Sequence, residues 1–313
     1  MNLLYNCFIV NPAAGGGKNK EELIEKIRAA CEKQGDEYEI HVTKEAGDAE
    51  KFVRRECVEK SGKKIRFYAC GGDGTLNDVV NGAVGFENAE IAAVPAGTGN
   101  DFIKSFSSQH AFIDIEAQLC GSTERLDIIK FNEKYCLNVL NIGFDCSVVE
   151  KMRSIRSKIK VPNSIAYPLG VLSAFFGHFG NTYTITFDDE TPVTKNYLLC
   201  AFGNARIYGG GFCAAPLAKL NDGLIDVCTV DKISRGKFIS LLGDYKKGTH
   251  IIRDVPLDFV TYKKCKKIHF EAEKEVGVCL DGELTRLRDI YIEAIPGAIP
   301  FAVPRGSECL ILA

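Results

Sequence analysis

The chain has 313 residues, 46% of them hydrophobic, which is material for a large core and a length that favours two domains over one. A formal net charge of −2, from 39 basic and 41 acidic residues, offers no global positive field and argues against nucleic acid as a partner. Thirteen cysteines, scattered singly in apolar runs such as those around Cys70, Cys136, Cys200 and Cys228 and without a CxxC pair, exclude a disulfide framework or zinc site and point to buried thiols in a reducing, cytoplasmic compartment.

Met1 to Val10 lacks the basic leader of a secretion signal and reads instead, from Leu3, as a buried strand. Asn11-Pro12-Ala13-Ala14-Gly15-Gly16-Gly17-Lys18 follows as a glycine loop, then an amphipathic helix carrying Leu23, Ile24, Ile27, Ala30 and Cys31. Glu37 to Val42 reads as a strand, Ala46 to Lys60 as a helix and Ile65 to Cys70 as a strand. The turn Cys70-Gly71-Gly72-Asp73-Gly74-Thr75 opens a helical stretch from Leu76 to Val84. Glycines let backbone approach a ligand, and the amides at the helix start attract phosphate. Asp73 would be repelled by phosphate. Two readings stay open for it: work through Mg²⁺ or a hydroxyl proton, or a plain cap of its own helix. A strand at Ile91 to Val94 leads into Pro95-Ala96-Gly97-Thr98-Gly99-Asn100-Asp101-Phe102. This βαβα rhythm implies a parallel sheet, with its three glycine loops gathered along one carboxyl edge.

After Leu126 the pattern turns β-rich, with strands expected at 128–131, 135–142, 183–187, 195–202, 224–230, 267–272, 276–280 and 290–294. Helices are expected at Ser147 to Ser157, Ser164 to Phe179 and Arg235 to Tyr245. An antiparallel sandwich or barrel is the natural second domain. The apolar stretch Ile165 to Gly180 is broken by Pro168, Gly170, Ser173 and His178, short of the roughly 20 apolar residues of a membrane span, so a soluble protein is expected. Asn221-Asp222-Gly223 reads either as a cation-binding turn among free carbonyls or as an Asp-Gly hairpin. Asp281-Gly282-Glu283 ends another strand, and the five histidines show no metal or triad spacing.

Together, Asn11-Pro12, Gly71 to Thr75 with Asn77, Pro95 to Phe102, Ala215-Pro216 with Asp222-Gly223, and Asp281-Gly282-Glu283 resemble the diacylglycerol kinase catalytic family. The soluble bacterial lipid kinases are nearest, sphingosine and ceramide kinases are relatives, and NAD kinase is the runner-up. The resemblance implies α/β plus β architecture: a Rossmann-like parallel ATP-binding domain over 1–126, completed by 297–313, and a C-terminal β-sandwich lipid-binding domain over 127–296. It implies phosphoryl transfer from ATP to a lipid hydroxyl, most directly diacylglycerol to phosphatidic acid. Nucleotide contacts are implied for Asn11, Gly72, Asp73, Gly74, Thr75, Gly97 and Thr98. Asp73 is implied at the catalytic centre, Glu283 as the general base, and Asp101, with Lys104 following, at the headgroup or metal. Asp222 with the carbonyls of Lys219 and Leu224 resembles a structural Mg²⁺ site, and Asp127 an acid linked to the centre through water. Gly99 stands where many members carry Thr or Ser. The basic run Lys151, Arg153, Arg156, Lys158 and Lys160 before an apolar stretch suggests peripheral membrane contact, and the family is often dimeric.

Overall fold

The structure, a computed structural model, describes residues 4–17, 20–159, 163–177, 179–280 and 283–310. Two units divide the chain: 1–128 with 219–223 and 295–313, and 129–218 with 224–294. The segment 219–223 thus belongs with the first unit, although the sequence places it inside the second.

In the first unit the near-continuous apolar runs form β1 (Tyr5–Val10), β2 (Tyr38–Val42), β3 (Ile65–Gly71) and β4 (Ala89–Pro95), paired in parallel in the order β2-β1-β3-β4. Parallel strands joined by helical crossovers are covered on both faces, which is why β3 is buried along its whole length. The crossovers are α1 (Lys20–Gln34), α2 (Asp48–Glu59) and α3 (Asp73–Ala83). Ile27, Ala30 and Cys31 of α1 pack on Phe8, Tyr68, Ala92 and Val94, with Phe8 and Tyr68 stacked at 4.2 Å. Two short helices, α4 (Gln109–Ile113) and α5 (Ile115–Leu119), were not legible in the sequence; at five residues each they are too brief to carry a helical period.

The second unit is antiparallel throughout its described pairings. Strand β5 (Ser122–Phe131) enters it from the first unit and pairs with β6 (Lys134–Cys136); β7 (Val139–Gly143), β8 (Asn181–Phe187), β9 (Val193–Gly203), β10 (Ile225–Asp231), β11 (Val260–Cys265), β12 (Lys267–Leu280) and β13 (Glu283–Val303) follow. Pairing runs β11-β10-β9-β7-β12-β13, and β8 bonds to β9 and β12. The strands expected at 267–272 and 276–280 are one strand, β12, with an irregularity between Glu271 and Val276. Strand β11, with Lys263 and Lys264 in its six residues, has no apolar run that marks it in the sequence. The expected stretch 290–294 lies within β13, whose far end passes into the first unit, where Phe301 pairs in parallel with Ile91.

One core of this unit fills the strand interior, with Tyr183, Phe202, Phe270 and Ile290 at its centre. A second lies under the helices α6 (Phe144–Lys158), α7 (Asn163–Phe176) and α8 (Arg235–Lys247), where Phe144, Phe179 and Phe238 pack edge to face. Among the described residues no helix is long and apolar enough to cross a membrane, and the thirteen cysteines are free thiols.

Candidate active site

Strand register brings the glycine loops together. Val10 lies opposite Cys70 and Cys70 opposite Val94, so β1, β3 and β4 end level with one another. The loops beyond them then touch. Asn11 Nδ2 donates to Thr75 Oγ1 at 3.0 Å, and the amides of Ala96 and Gly97 donate to the Gly71 carbonyl at 2.8 and 3.2 Å. A Cβ on Gly97 would lie 2.5 Å from the Gly72 Cα, so the second and third loops meet backbone to backbone where no side chain fits. Asn100, at φ 46°, locks the third loop by accepting from the Gly97 amide at 3.1 Å and donating to its carbonyl at 2.8 Å. We expect Gly97→Ala to destabilise the first unit by about 1–3 kcal/mol through overpacking. Gly74→Ala, whose Cβ would meet nothing within 4 Å, should be neutral in the same denaturant titration.

The helix α3 begins at Asp73, and its N-cap is Gly72, with no side-chain cap. Asp73 is therefore not capping its own helix, and that reading of the turn falls. Its Oδ1 instead accepts from the Phe102 amide at 3.2 Å, across the rim. Burial raises the Asp73 carboxyl above the usual carboxylate range; the Asp101 charge adds to the rise, and the Phe102 amide opposes it. Asp101 is buried and pairs with Lys104 at 2.5 Å. A Cβ on Gly99 would sit 3.0 Å from Asp73 Oδ2, so any larger residue there would crowd the aspartate; glycine leaves that side of the carboxylate open. Gly74 and Thr98 are exposed at the rim, Thr75 is buried behind it, and the first amides of α3 point where an anion would sit. A cleft of about 160 Å³ adjoins the rim, lined by Asn11, Gly15, Lys20, Lys26, Pro95 and Ala96. Lys18 lies outside the described residues.

The Asp222 turn is not a hairpin. It leads into β10, which does pair antiparallel with the preceding strand β9, but residues 204–224 separate the two, so the Asp-Gly turn is one bend in a long connection and not a two-residue link between paired strands. Asp127 organises it: Oδ2 accepts from the Gly223 amide at 2.6 Å, Oδ1 accepts from the Gly297 amide at 2.7 Å, and the Asp127 amide donates to the Leu220 carbonyl at 2.7 Å. Gly223 takes φ 73°, a conformation that favours glycine. A carboxylate with main-chain carbonyls is the hard-oxygen set that Mg²⁺ accepts with water, so the chemistry of Asp222, Lys219 and Leu224 fits such an ion. Among the described residues no cluster of three His, Cys, Asp or Glu side chains offers another metal site.

Glu283 opens β13 opposite Leu280 and is exposed, in the second unit, while Asp281 and Gly282 lie outside the described residues. The sequence did not single out Asn100 or the Phe102 amide, although an Asn in a glycine loop is itself a sign of a left-handed residue. Nor did it single out Asp145, in the first turn of α6. Burial pushes its carboxyl up to about 6, against a hydrogen bond donated by Tyr208, whose hydroxyl also meets that of Tyr245 at 3.1 Å.

The comparisons agree with this architecture. Residues 6–131 match the diacylglycerol kinase catalytic domain, and residues 138–303 match the YegS C-terminal NAD kinase beta sandwich-like domain. "Putative lipid kinase YtlR" of Bacillus subtilis is 30% identical over 310 residues, covering 93% of this chain and 97% of that protein. A diacylglycerol kinase of Mycobacterium tuberculosis is 28% identical over 245 residues, 75% of each chain. The crystal structure described as "a putative diacylglycerol kinase from Bacillus anthracis str. Sterne" superposes with a TM-score of 0.76 at 25% identity, covering 96% of this chain and 97% of that one. With an α/β glycine-loop unit, an antiparallel β unit and full-length kinship of this kind, the chain belongs to the diacylglycerol kinase and YegS family of lipid kinases.

Proposed function

We propose that this lipid kinase transfers the γ-phosphate of ATP to a lipid hydroxyl, with diacylglycerol as the acceptor and phosphatidic acid as the product. The observation that carries the reading is the rim itself: three glycine loops locked together, free helix amides, and a half-buried aspartate held off its own helix by the Phe102 amide. Phosphoryl transfer asks for positioning and charge stabilisation more than for covalent chemistry, and this is what such a rim supplies. Asn11, the backbone of Gly72 to Thr75, and Gly97 with Thr98 bind the nucleotide phosphates, and the cleft beside Lys20 and Lys26 receives the rest of the nucleotide. Asp73 orients the acceptor hydroxyl, Glu283 takes its proton, and Asp101, partnered by Lys104, keeps negative charge beside Asp73. Mg²⁺, when bound with ATP, neutralises charge on the phosphates.

The second Mg²⁺ role is structural, at Asp222 with the Lys219 and Leu224 carbonyls. Asp222→Ala should then remove any rise in melting temperature on adding Mg²⁺, and a wild type whose melting ignores Mg²⁺ would eliminate that site. The enzyme works as a peripheral protein at the cytoplasmic face of a membrane, where its acceptor resides. Labelled ATP offered with diacylglycerol, sphingosine, phosphatidylglycerol, undecaprenol and NAD decides the acceptor. Label in phosphatidic acid is expected; label in NAD alone would replace the lipid reading with a nucleotide one.

A further inference from the structure

The outer face of α7 is left unexplained by the core of the second unit. Its inner stripe packs conventionally: a Cβ at Gly170 would touch Val148 and Met152 of α6, and Ala174 is buried. On the opposite stripe, Leu169, Leu172 and Phe176, spaced three and four residues apart and so on one face, are 43%, 54% and 71% exposed. A helix at the surface of a globular unit normally turns polar residues outward; α7 turns apolar ones both ways. The guanidinium of Arg235 donates to the Phe175 and Gly177 carbonyls at 2.8 and 3.0 Å, which fixes the end of α7 beside the start of α8. One turn along α8, Ile239 is 62% exposed.

Both helices that adjoin α7 carry exposed cations. Lys151, Arg153 and Arg156 on α6 and Lys237 on α8 are exposed, and among the described residues none of the four is ion-paired. The acid of that α6 stretch, Glu150, is held by Arg286 at 2.7 Å. A chain whose net charge is −2 thus places four exposed cations on the two helices that adjoin its exposed apolar one. A second copy of the chain is a poor occupant, because a twofold contact would set this cationic rim against itself.

We propose that α7 and the start of α8 dock on an anionic bilayer, with Leu169, Leu172, Phe176 and Ile239 entering the acyl boundary and the four cations meeting the headgroups. The inference deepens the lipid-kinase reading by naming the surface that meets the acceptor's membrane. Its test does not depend on catalysis. Sedimentation with phosphatidylcholine vesicles, with and without phosphatidylglycerol, is measured for the wild type, for Leu172→Glu with Phe176→Glu, for Lys151→Glu with Arg153→Glu and Arg156→Glu, and for Val58→Ser in the first unit. The wild type should bind the phosphatidylglycerol vesicles, and more weakly as salt rises. Both multiple variants should bind about tenfold or more weakly, and Val58→Ser should bind as wild type. Melting curves confirm folding, and should the α7 variant not fold, the α6 charge reversal decides alone. Undiminished binding by the folded variants, or binding indifferent to lipid charge and salt, overturns the proposal. So does a wild-type dimer that the α7 variant splits while vesicle binding is unchanged. Vesicle binding that follows the expected pattern with no lipid phosphorylated would uphold the docking surface and bring down the kinase reading instead.

Discussion

Asp73→Asn is expected to cut single-turnover phosphoryl transfer by about 10²–10⁴-fold, the range for removing a positioned acid–base group. ATP affinity should hold or tighten, because the change removes a negative charge from the phosphate rim. Asparagine can still accept from the Phe102 amide, so the rim keeps its shape, and loss of rate without loss of nucleotide separates chemistry from binding. Burial, with the Asp101 charge, holds the Asp73 carboxyl above the usual range. Lowering the pH therefore protonates it sooner than an ordinary aspartate, and the acid limb of the wild-type rate should lie above that range and vanish in the residual activity of Asp73→Asn. Glu283→Gln, exposed at the start of β13, should keep ATP binding and lose turnover as the proton acceptor is removed. A loose transition state needs little base assistance, so the loss there is expected to be the smaller of the two. Near wild-type turnover in Glu283→Gln would reduce that residue to the edge of a strand.

Asp226→Ala should destabilise the second unit by about 3 kcal/mol, the lower end for breaking a buried charge pair. The Asp226 side chain is fully buried; it accepts from the Tyr262 hydroxyl at 2.5 Å and pairs with Lys264 at 3.1 Å. Removing it strands the Tyr262 hydroxyl, whereas Lys264, partly exposed, can turn to water, which keeps the cost from the upper end of the range. Two of these groups, together with Arg206, brace the chain just before the Asp222 turn: Tyr262 accepts from the Leu217 amide at 3.3 Å, Lys264 donates to the Leu217 carbonyl at 3.3 Å, and Arg206 donates to the Ala218 carbonyl at 3.0 Å. Differential scanning calorimetry should show the transition about 6–12 °C lower. A second substitution, Tyr262→Phe, should cost much less in the Asp226→Ala background than alone. Additive losses would mean that the two side chains do not act as a unit.

The rim was legible because each part has a local signature. A buried apolar run followed by a glycine turn is a strand end whatever the rest of the chain does, and three of them in βα alternation must share an edge if the sheet is parallel. What Asp73 does was not legible. Cap and catalytic group have the same local sequence, and only the approach of Phe102, 29 residues on, takes the carboxylate off its helix. Asp222 presented the same ambiguity. An Asp-Gly turn is a hairpin only if it alone joins two paired strands; β9 and β10 do pair, but across residues 204–224, and the residue that organises the turn, Asp127, stands 96 positions from Gly223.

Period and composition by themselves determined the α/β then β order of the chain, the sites of its glycine loops and the absence of a disulfide framework, since these depend on side chains within a few positions of one another. Tertiary structure alone decided which loops lock, where 219–223 belongs, that two predicted strands are the single strand β12, and that α7 exposes Leu169, Leu172 and Phe176 while burying its other stripe. An apolar residue reads the same in sequence whether it faces a core or solvent. The difference is made by the elements that pack against it, and those are chosen by contacts between residues tens to hundreds of positions apart.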